Sequence, residues 1–96
     1  MFKHILIPTD GSRLALKGIK AGVKLARALG ARVTGLYVVA PYAPPPWEGI
    51  LRAARSGKCD AVAIASHGRG GLGGLILGSE TQRVLAHSKI PVLVVR

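Results

Sequence analysis

Residues 60–79 read Asp-Ala-Val-Ala-Ile-Ala-Ser-His-Gly-Arg-Gly-Gly-Leu-Gly-Gly-Leu-Ile-Leu-Gly-Ser, a short apolar run that leads directly into a glycine-rich segment. The apolar part, residues 60–66, is nearly continuous, which is typical of a strand covered on both faces. A helix is predicted to follow from about Leu75 to Ser88. Dense glycines between a strand and a helix let backbone N–H groups approach an anion, and the helix N-terminus adds its positive end. The stretch therefore predicts an α/β protein with an anion-binding loop.

The flanking sequence completes an alternation of strands and helices. Residues 3–8 are apolar and end at the turn Pro8-Thr9-Asp10-Gly11-Ser12, so they predict a first strand. The other expected elements are a helix over 13–29, capped by Ser12 or Asp10 and ending at Gly30, a strand over 32–39, a helix over 47–57 and a strand over 91–95.

The order β-α-β-α-β-α-β predicts an open, mostly parallel sheet with flanking helices, because crossovers between parallel strands are right-handed. Ligands on such sheets bind at the carboxyl ends of the strands, where the strand order reverses. We therefore expect the turn at residues 8–12 to lie beside the loop at residues 66–74, at the binding site.

Length and composition indicate the class of protein. The chain has 96 residues, enough for one domain over 1–96, with a proline-rich joint at 41–46. No apolar run approaches the roughly 18 residues of a membrane span, and the apolar N-terminal stretch is too short for a signal peptide. Cys59 is the single cysteine and cannot form an internal disulfide, which fits a reducing compartment. We expect a soluble, cytoplasmic protein without a membrane partner.

The charge is strongly positive. Fourteen Lys and Arg residues against four Asp and Glu residues give +10, which favours anionic partners and leaves nucleotides, nucleic acids and lipid headgroups open. A basic stripe follows the first predicted helix: Arg13, Lys17, Lys20, Lys24 and Arg27. The few aromatic residues form no stacking platform and no nucleic-acid motif is recognised, so the stripe is interpreted as a solvated face and a nucleic-acid partner is not expected.

Two familiar phosphate motifs match the glycine-rich segment incompletely. Gly73, Gly78 and Ser79 have the glycine spacing of a P-loop, but Ser79 stands where that motif needs its lysine. Gly68-x-Gly70-x-x-Gly73 satisfies the dinucleotide fingerprint, yet the chain has no acidic residue about 20 positions further on to bind a ribose. Both motifs are rejected, and a plain β-to-α connector remains the alternative to a phosphate loop.

Catalytic chemistry is not apparent. Asp10 is the only acid expected to supply chemistry in the site, since Glu48 and Asp60 lie near the ends of other elements and Glu80 falls in the first turn of the last helix, where a carboxylate favours the helix dipole. The three histidines have no spacing that suggests a metal site, and Ser66 next to His67 does not make a nucleophile and base. No enzymatic role is expected. Two roles stay open for Asp10: a ligand of Mg²⁺ together with phosphate oxygens, or a helix cap.

Several segments together resemble the universal stress protein family. Ala65-Ser66-His67-Gly68, then nine residues, then Gly78-Ser79 is similar to its nucleotide loop, and His4-Ile-Leu-Ile-Pro8-Thr9-Asp10-Gly11-Ser12 is similar to its first strand and turn. The ending Pro91-Val-Leu-Val-Val95 also matches, so the resemblance extends over nearly the whole chain. It implies a Rossmann-like, adenine-nucleotide-binding fold and a stress-response or regulatory module. Its implied ligand is ATP, with Mg²⁺ as an open addition.

Carried over position by position, the resemblance implies a set of nucleotide-contacting residues. The phosphates would be contacted by Gly68, Gly78 and Ser79, with Asp10 near the ribose or the phosphates, and with Pro8, Thr9 and Val38 beside the nucleoside. The set is completed by Ala65, His67, Arg69 and Glu80. His67 and Arg69 would supply charge to phosphate oxygens, and solvated loop side chains are the alternative for both.

The chain departs from the family at two places. Ala65 stands where the family has its first loop glycine. Between the strand at 32–39 and the helix near Trp47, one α-β unit is missing, so we expect the strand order second, first, third, fourth, with strand 32–39 on an uncovered edge that invites association.

The resemblance also implies a homodimer formed through the last strand. Two other functions remain as alternatives. One is a homodimeric interaction module of the same fold that binds no nucleotide, and the other is a non-specific nucleic-acid binder, whose affinity would depend strongly on salt.

Overall fold

The computed structural model describes residues 1–39, 44–65 and 79–96, where strands and helices alternate as expected. The elements are β1 (His4–Thr9), α1 (Ala15–Leu29), β2 (Arg32–Tyr37), α2 (Pro46–Ser56), β3 (Ala61–Ala65), α3 (Ser79–His87) and β4 (Val92–Val95). The glycine-rich loop and the predicted start of the last helix at Leu75 lie outside the described residues. The element order predicted from the sequence is confirmed, with boundaries that differ by one or two residues where both ends are described.

The described strands form one parallel sheet in the order β2-β1-β3-β4. Ile5 of β1 lies opposite Val33 of β2 on one side and Ala61 of β3 on the other. The order reverses between β1 and β3, because the chain first crosses from β1 outward to β2 and later from β3 outward to β4. The predicted strand order and α/β class are therefore confirmed, with β2 at one edge.

One face of the sheet is covered by α1. Ile5 and Ile7 of β1 and Ala61 and Ala63 of β3 form a buried cluster with Ala26 of the helix. The helix comes close through glycines: a Cβ on Gly22 would lie 2.6 Å from Cδ1 of Ile7 and 3.1 Å from Cβ of Ala63. Such distances are below ordinary van der Waals contact, so a side chain at Gly22 would push α1 away from the sheet.

The opposite face is covered by α2 and α3. Its buried residues include Leu6 of β1, Val62 and Ile64 of β3, Ile50 of α2 and Val84 of α3, each fully shielded from solvent. Alternation along β3 thus sends alanines to α1 and branched residues to the other two helices. The sheet is buried on both faces in its centre, which is why β3 reads as a continuous apolar run.

The ends of α1 follow the predicted chemistry. The Ser12 Oγ accepts the N–H of Ala15 at 3.1 Å, and the Arg13 carbonyl accepts the N–H of Leu16 at 3.2 Å. Gly30 ends the helix at φ 68°, a left-handed conformation that glycine adopts without steric cost. Among the helices of the described ranges, none has the length and apolar character needed to cross a membrane.

Candidate functional site

The carboxyl ends of β1 and β3 lie side by side at the point where the strand order reverses. β1 ends at Thr9 and β3 at Ala65, and the two strands are parallel neighbours, so their ends meet at the same edge of the sheet. The turn that precedes α1 and the start of α3 both adjoin this edge. It is the position at which open α/β sheets bind ligands.

The turn after β1 is shaped by its own side chains. The Gly11 N–H donates to Oγ1 of Thr9 at 3.1 Å, and the Ser12 N–H donates to Oδ1 of Asp10 at 2.8 Å. Gly11 has φ 82°, and a Cβ there would lie 2.7 Å from the hydroxyl oxygen of Tyr37. Both the backbone and the space therefore require glycine. Asp10 has a structural task in this turn, whatever else its carboxylate binds.

Ala65 lies in the interior of the protein. Its exposed fraction is 2%, and a Cβ on Gly18 of α1 would lie 3.3 Å from the Ala65 Cβ. The methyl group that distinguishes this position from the family's glycine therefore packs against α1. The Ala65 carbonyl accepts the hydroxyl of Thr81 at 3.2 Å, which holds the first turn of α3 against the end of β3.

Glu80 links two helices. Its Oε1 accepts the N–H of Trp47 at 3.0 Å, in the first turn of α2, where Pro45 and Pro46 offer no side-chain cap. A helix N-terminus has unsatisfied N–H groups, so a carboxylate from α3 stabilises the start of α2. Sequence reasoning included Glu80 in the nucleotide set, and the structure gives one of its oxygens this partner. No local pattern announces a cap from 33 residues away.

The remaining predicted site residues differ in exposure. Pro8 is fully buried, Thr9 is half-buried, and Val38 is half-buried against the cluster that contains Leu6. Ser79 begins α3. Four predicted residues, His67, Gly68, Arg69 and Gly78, lie outside the described residues. Of the set, the structure brings together the end of β1 with its turn, the end of β3 and the start of α3.

Tyr37 was not predicted as a site residue. It ends β2 at the carboxyl end of the sheet, where β1 and β3 also end. Its ring lies against Gly11, and 65% of the residue is exposed. Two features of the sequence could have predicted Tyr37 as a site residue: it stands at the carboxyl end of a strand, and it precedes Val38, which the family resemblance includes.

Asp60 occupies the opposite, amino end of the sheet. Its carboxylate accepts the N–H of Lys3 at 2.8 Å and that of His4 at 3.0 Å, which ties the start of β1 to the turn before β3. These bonds, chiefly that from Lys3, lower the pKa of the Asp60 carboxyl group. Burial, and next the Asp60 charge, raises the pKa of the neighbouring Cys59 thiol. Asp60 joins two parts of the fold and Cys59 packs in the core, and both lie at the end of the sheet opposite the candidate site.

The described ranges contain no cluster of side chains that could bind a metal ion. Nowhere in residues 1–39, 44–65 and 79–96 do three His, Cys, Asp or Glu side chains gather as metal ligands would.

Comparison with known proteins agrees with the geometry. The sequence profile of the universal stress protein family matches residues 1–47 and 42–96, and so accounts for the entire chain. The chain belongs to the universal stress protein family. A universal stress protein of Methanocaldococcus jannaschii is 26% identical over 141 residues, an alignment that includes 100% of this chain and 83% of that protein.

Solved structures of the family share the fold. The universal stress protein UspA from Lactobacillus plantarum matches with a TM-score of 0.78 and 19% identity, over 98% of this chain and 97% of that one. A universal stress protein in complex with cAMP matches with a TM-score of 0.76 and 20% identity, over 99% of this chain and 97% of that one. At these identities the likeness concerns the fold.

The chain is a shortened member of its family. The alignment with the archaeal relative has 141 positions, whereas this chain has 96 residues. About 45 residues of the relative are therefore aligned with gaps in this chain. The two profile matches meet at residues 42–47, between β2 and the start of α2. That is where the sequence predicts a missing α-β unit, and its absence leaves β2 on the edge of the sheet.

Proposed function

We propose that this member of the family is a nucleotide-binding regulatory module of the stress response, with ATP as its ligand and no catalytic role. It acts in the cytoplasm as a single domain over residues 1–96, with the joint at 41–46 in place of the missing unit. The observation that carries the proposal is the reversal of strand order between β1 and β3, with the turn before α1 and the start of α3 at the same edge.

The local geometry suits an anion. α3 has nine residues, and its first turn is held to the end of β3 by the bond from Thr81 to the Ala65 carbonyl. The positive end of the helix therefore adjoins the place where the glycine-rich segment leaves the sheet. Gly68, Gly78 and Ser79 are the proposed phosphate contacts, assisted by His67 and Arg69, with Pro8, Thr9 and Val38 beside the nucleoside.

The alanine at position 65 is compatible with binding. Its methyl group packs against Gly18 and is 2% exposed, so it does not occupy the space outside the strand ends. The similarity in fold to a protein solved with cAMP also supports an adenine nucleotide as the ligand. The charge of +10 favours a polyanionic ligand by raising its local concentration.

Asp10 is the proposed link to Mg²⁺. One of its carboxylate oxygens accepts the Ser12 N–H at 2.8 Å, which fixes the side chain at the start of α1. A carboxylate combined with phosphate oxygens is a usual magnesium environment. The ion would neutralise phosphate charge beside this acid. Asp10→Asn is expected to weaken the binding of ATP with Mg²⁺ more than the binding of ATP alone.

The direct test is to purify the protein from cells, precipitate it and identify released nucleotide by mass spectrometry. We expect stoichiometric adenine nucleotide in the native protein and none in Gly78→Val, because side-chain bulk there would block the phosphates. Gly49→Val is the matched control, since a Cβ at Gly49 meets nothing within 4 Å. An empty native protein that also fails to bind added ATP with Mg²⁺ would refute the proposal in favour of an interaction module that binds no nucleotide.

The proposed homodimer forms through β4. This strand is an edge of the sheet, and Leu93 in its centre is 41% exposed. Beside it lies an apolar groove lined by residues of the N-terminus, α1 and β4, including Phe2, Leu25 and Leu93. Pairing two β4 strands would bury this surface. Leu93→Glu is expected to convert the dimer into a monomer in sedimentation equilibrium.

A further inference from the structure

The outer edge of β2 carries hydrogen-bonding groups that no described strand satisfies. Among the described strands β2 pairs only with β1, and the N–H groups of Arg32 and Val38 donate to the carbonyls of Lys3, just before β1, and Thr9, each at 2.8 Å. Alternate residues of a strand direct their backbone groups to the same side. Val33, Gly35 and Tyr37 therefore direct their N–H and C=O groups away from the sheet, as a template for a further strand.

The side chains beside this edge are apolar and exposed. Thr34 is hydrogen-bonded to His4, and Leu36 packs on the cluster of α2 and α3, so Val33 and Tyr37 point to the other face, that of α1. Both are exposed, and a Cβ at Gly35 between them meets nothing within 4 Å. The two profile matches meet shortly after this strand, at residues 42–47.

The nearest flank of α1 continues the apolar surface. Leu25 lines the groove on the side of β4, and Leu16, Ile19 and Val23 lie on the opposite flank at 100° per residue, toward β2. Leu16 and Val23 are large apolar residues that remain exposed. The outer surface of β2 and this flank together form what we call the β2 surface: Leu16, Ile19, Val23, Val33, Gly35 and Tyr37.

Positive charge lines the β2 surface. Lys20, Lys24 and Arg27 form a groove on α1 together with Ile19 and Val23, and no acidic residue takes part in it. Of the four acids, Glu48 and Glu80 lie in α2 and α3, which cover the other face of the sheet, and Asp60 is bonded to Lys3 and His4 at the amino end. Asp10, in the turn beside Gly11, is the acid nearest to Tyr37, at one end of the surface. A second copy of this chain would bring the same cations against one another, whereas an acidic partner would be attracted.

We propose that the β2 surface binds an acidic protein segment in extended conformation, which adds a strand to β2 and places alternate apolar side chains between β2 and α1. The backbone edge supplies hydrogen bonds, the apolar strip selects every second side chain, and the cations select carboxylates. This function is distinct from nucleotide binding, because the surface runs along the outer side of β2, whereas the proposed nucleotide site lies at the carboxyl ends of β1 and β3; the two adjoin at Tyr37.

The test uses a labelled peptide that alternates valine and glutamate, with a matched peptide carrying lysine for glutamate, in fluorescence anisotropy against the full chain. We expect binding of the acidic peptide that weakens as salt is raised, and none of the basic peptide. Val33→Glu should weaken binding about tenfold or more through repulsion and lost apolar contact. Leu85→Glu is the control, because Leu85 is likewise an exposed large apolar residue but lies in α3, which covers the other face of the sheet.

Amide hydrogen exchange on the native protein tests the geometry without any variant. The peptide should slow exchange at Val33, Gly35 and Tyr37, while Thr34 and Leu36 are already protected by β1. Loss of peptide binding in Leu85→Glu with retention in Val33→Glu would overturn the proposal. So would protection of the three amides that rises with protein concentration in the absence of peptide, since a second copy would then occupy the edge.

Discussion

The two faces of the sheet are built in opposite ways. On one face a single helix, α1, approaches so closely that glycines must meet the strands, with a Cβ at Gly18 only 2.8 Å from the Ala65 N. On the other face two shorter helices, α2 and α3, meet the strands through large side chains such as Ile50 and Val84. The first face depends on the absence of side chains and the second on their volume.

The difference comes from the alternation of small and large residues along the central strand β3. β3 reads Ala61-Val-Ala-Ile-Ala65, so its alanines leave room for the backbone of α1 while its branched residues fill the space under α2 and α3. Close packing tolerates neither gaps nor excess volume. Substitutions that remove volume should therefore harm one face, and substitutions that add volume should harm the other.

The largest effect is expected from Ile50→Ala. The side chain is fully buried between α2 and the sheet, so its loss removes apolar contact and leaves a cavity. We expect a fall of about 2–5 kcal/mol in the free energy of unfolding, measured by urea denaturation. A fall of less than about 1 kcal/mol would mean that the helices collapse into the gap, and that this face does not depend on volume.

Gly18→Ala tests the close face. The added methyl would meet the backbone of β3 at 2.8 Å, and we expect a loss of about 1–3 kcal/mol as α1 shifts outward. Gly49→Ala makes the same change in α2, where nothing lies within 4 Å, and should gain up to about 1 kcal/mol from helix propensity. If thermal unfolding shows the same change in stability for the two substitutions, α1 does not pack more closely on the sheet than α2 does.

Glu80→Ala tests the link between the two helices that share one face. The Trp47 N–H would lose its acceptor at the start of α2, at an expected cost of about 0.5–2 kcal/mol. Glu80→Gln keeps an acceptor oxygen and should cost less. Trp47 is the single tryptophan, so its fluorescence during denaturation reports on this junction. If Glu80→Ala loses no stability, the carboxylate does not act as a cap.

The smallest effect concerns Asp60, which serves both faces by joining β1 to the turn before β3. Its folded pKa is lowered, so its stabilisation is complete above the usual carboxyl pKa and is lost as the pH falls through the lower, folded value. Asp60→Asn should remove this part of the acid-induced loss of stability. Native and variant curves that stay parallel throughout the acid range would show that the two bonds contribute no stability.

Much of the fold could be predicted from the chain alone. The order of elements followed from apolar runs and turns, the end of α1 followed from Gly30, and the strand order followed from the family resemblance and the missing unit. These features depend on neighbouring residues or on the handedness of crossovers, both of which act regardless of distant contacts.

The candidate site was predictable only in part. The residues at the ends of β1 and β3 could be named because the carboxyl ends of parallel strands meet at one edge. The direction of the Ala65 methyl and the partner of the Glu80 carboxylate could not, since each depends on a residue far away in sequence. The exposure of Tyr37 likewise depends on which helices remain beside β2.

Local sequence thus sufficed for the class of fold, the family and the place where the strand order reverses, because periodicity, turn chemistry and strand direction are properties of short segments. Tertiary structure decided which face each side chain joins, how near α1 comes to the sheet, and that β2 keeps an open, apolar and basic surface. These depend on the packing of segments that are remote in sequence, where a distance of a few tenths of an ångström separates contact from collision.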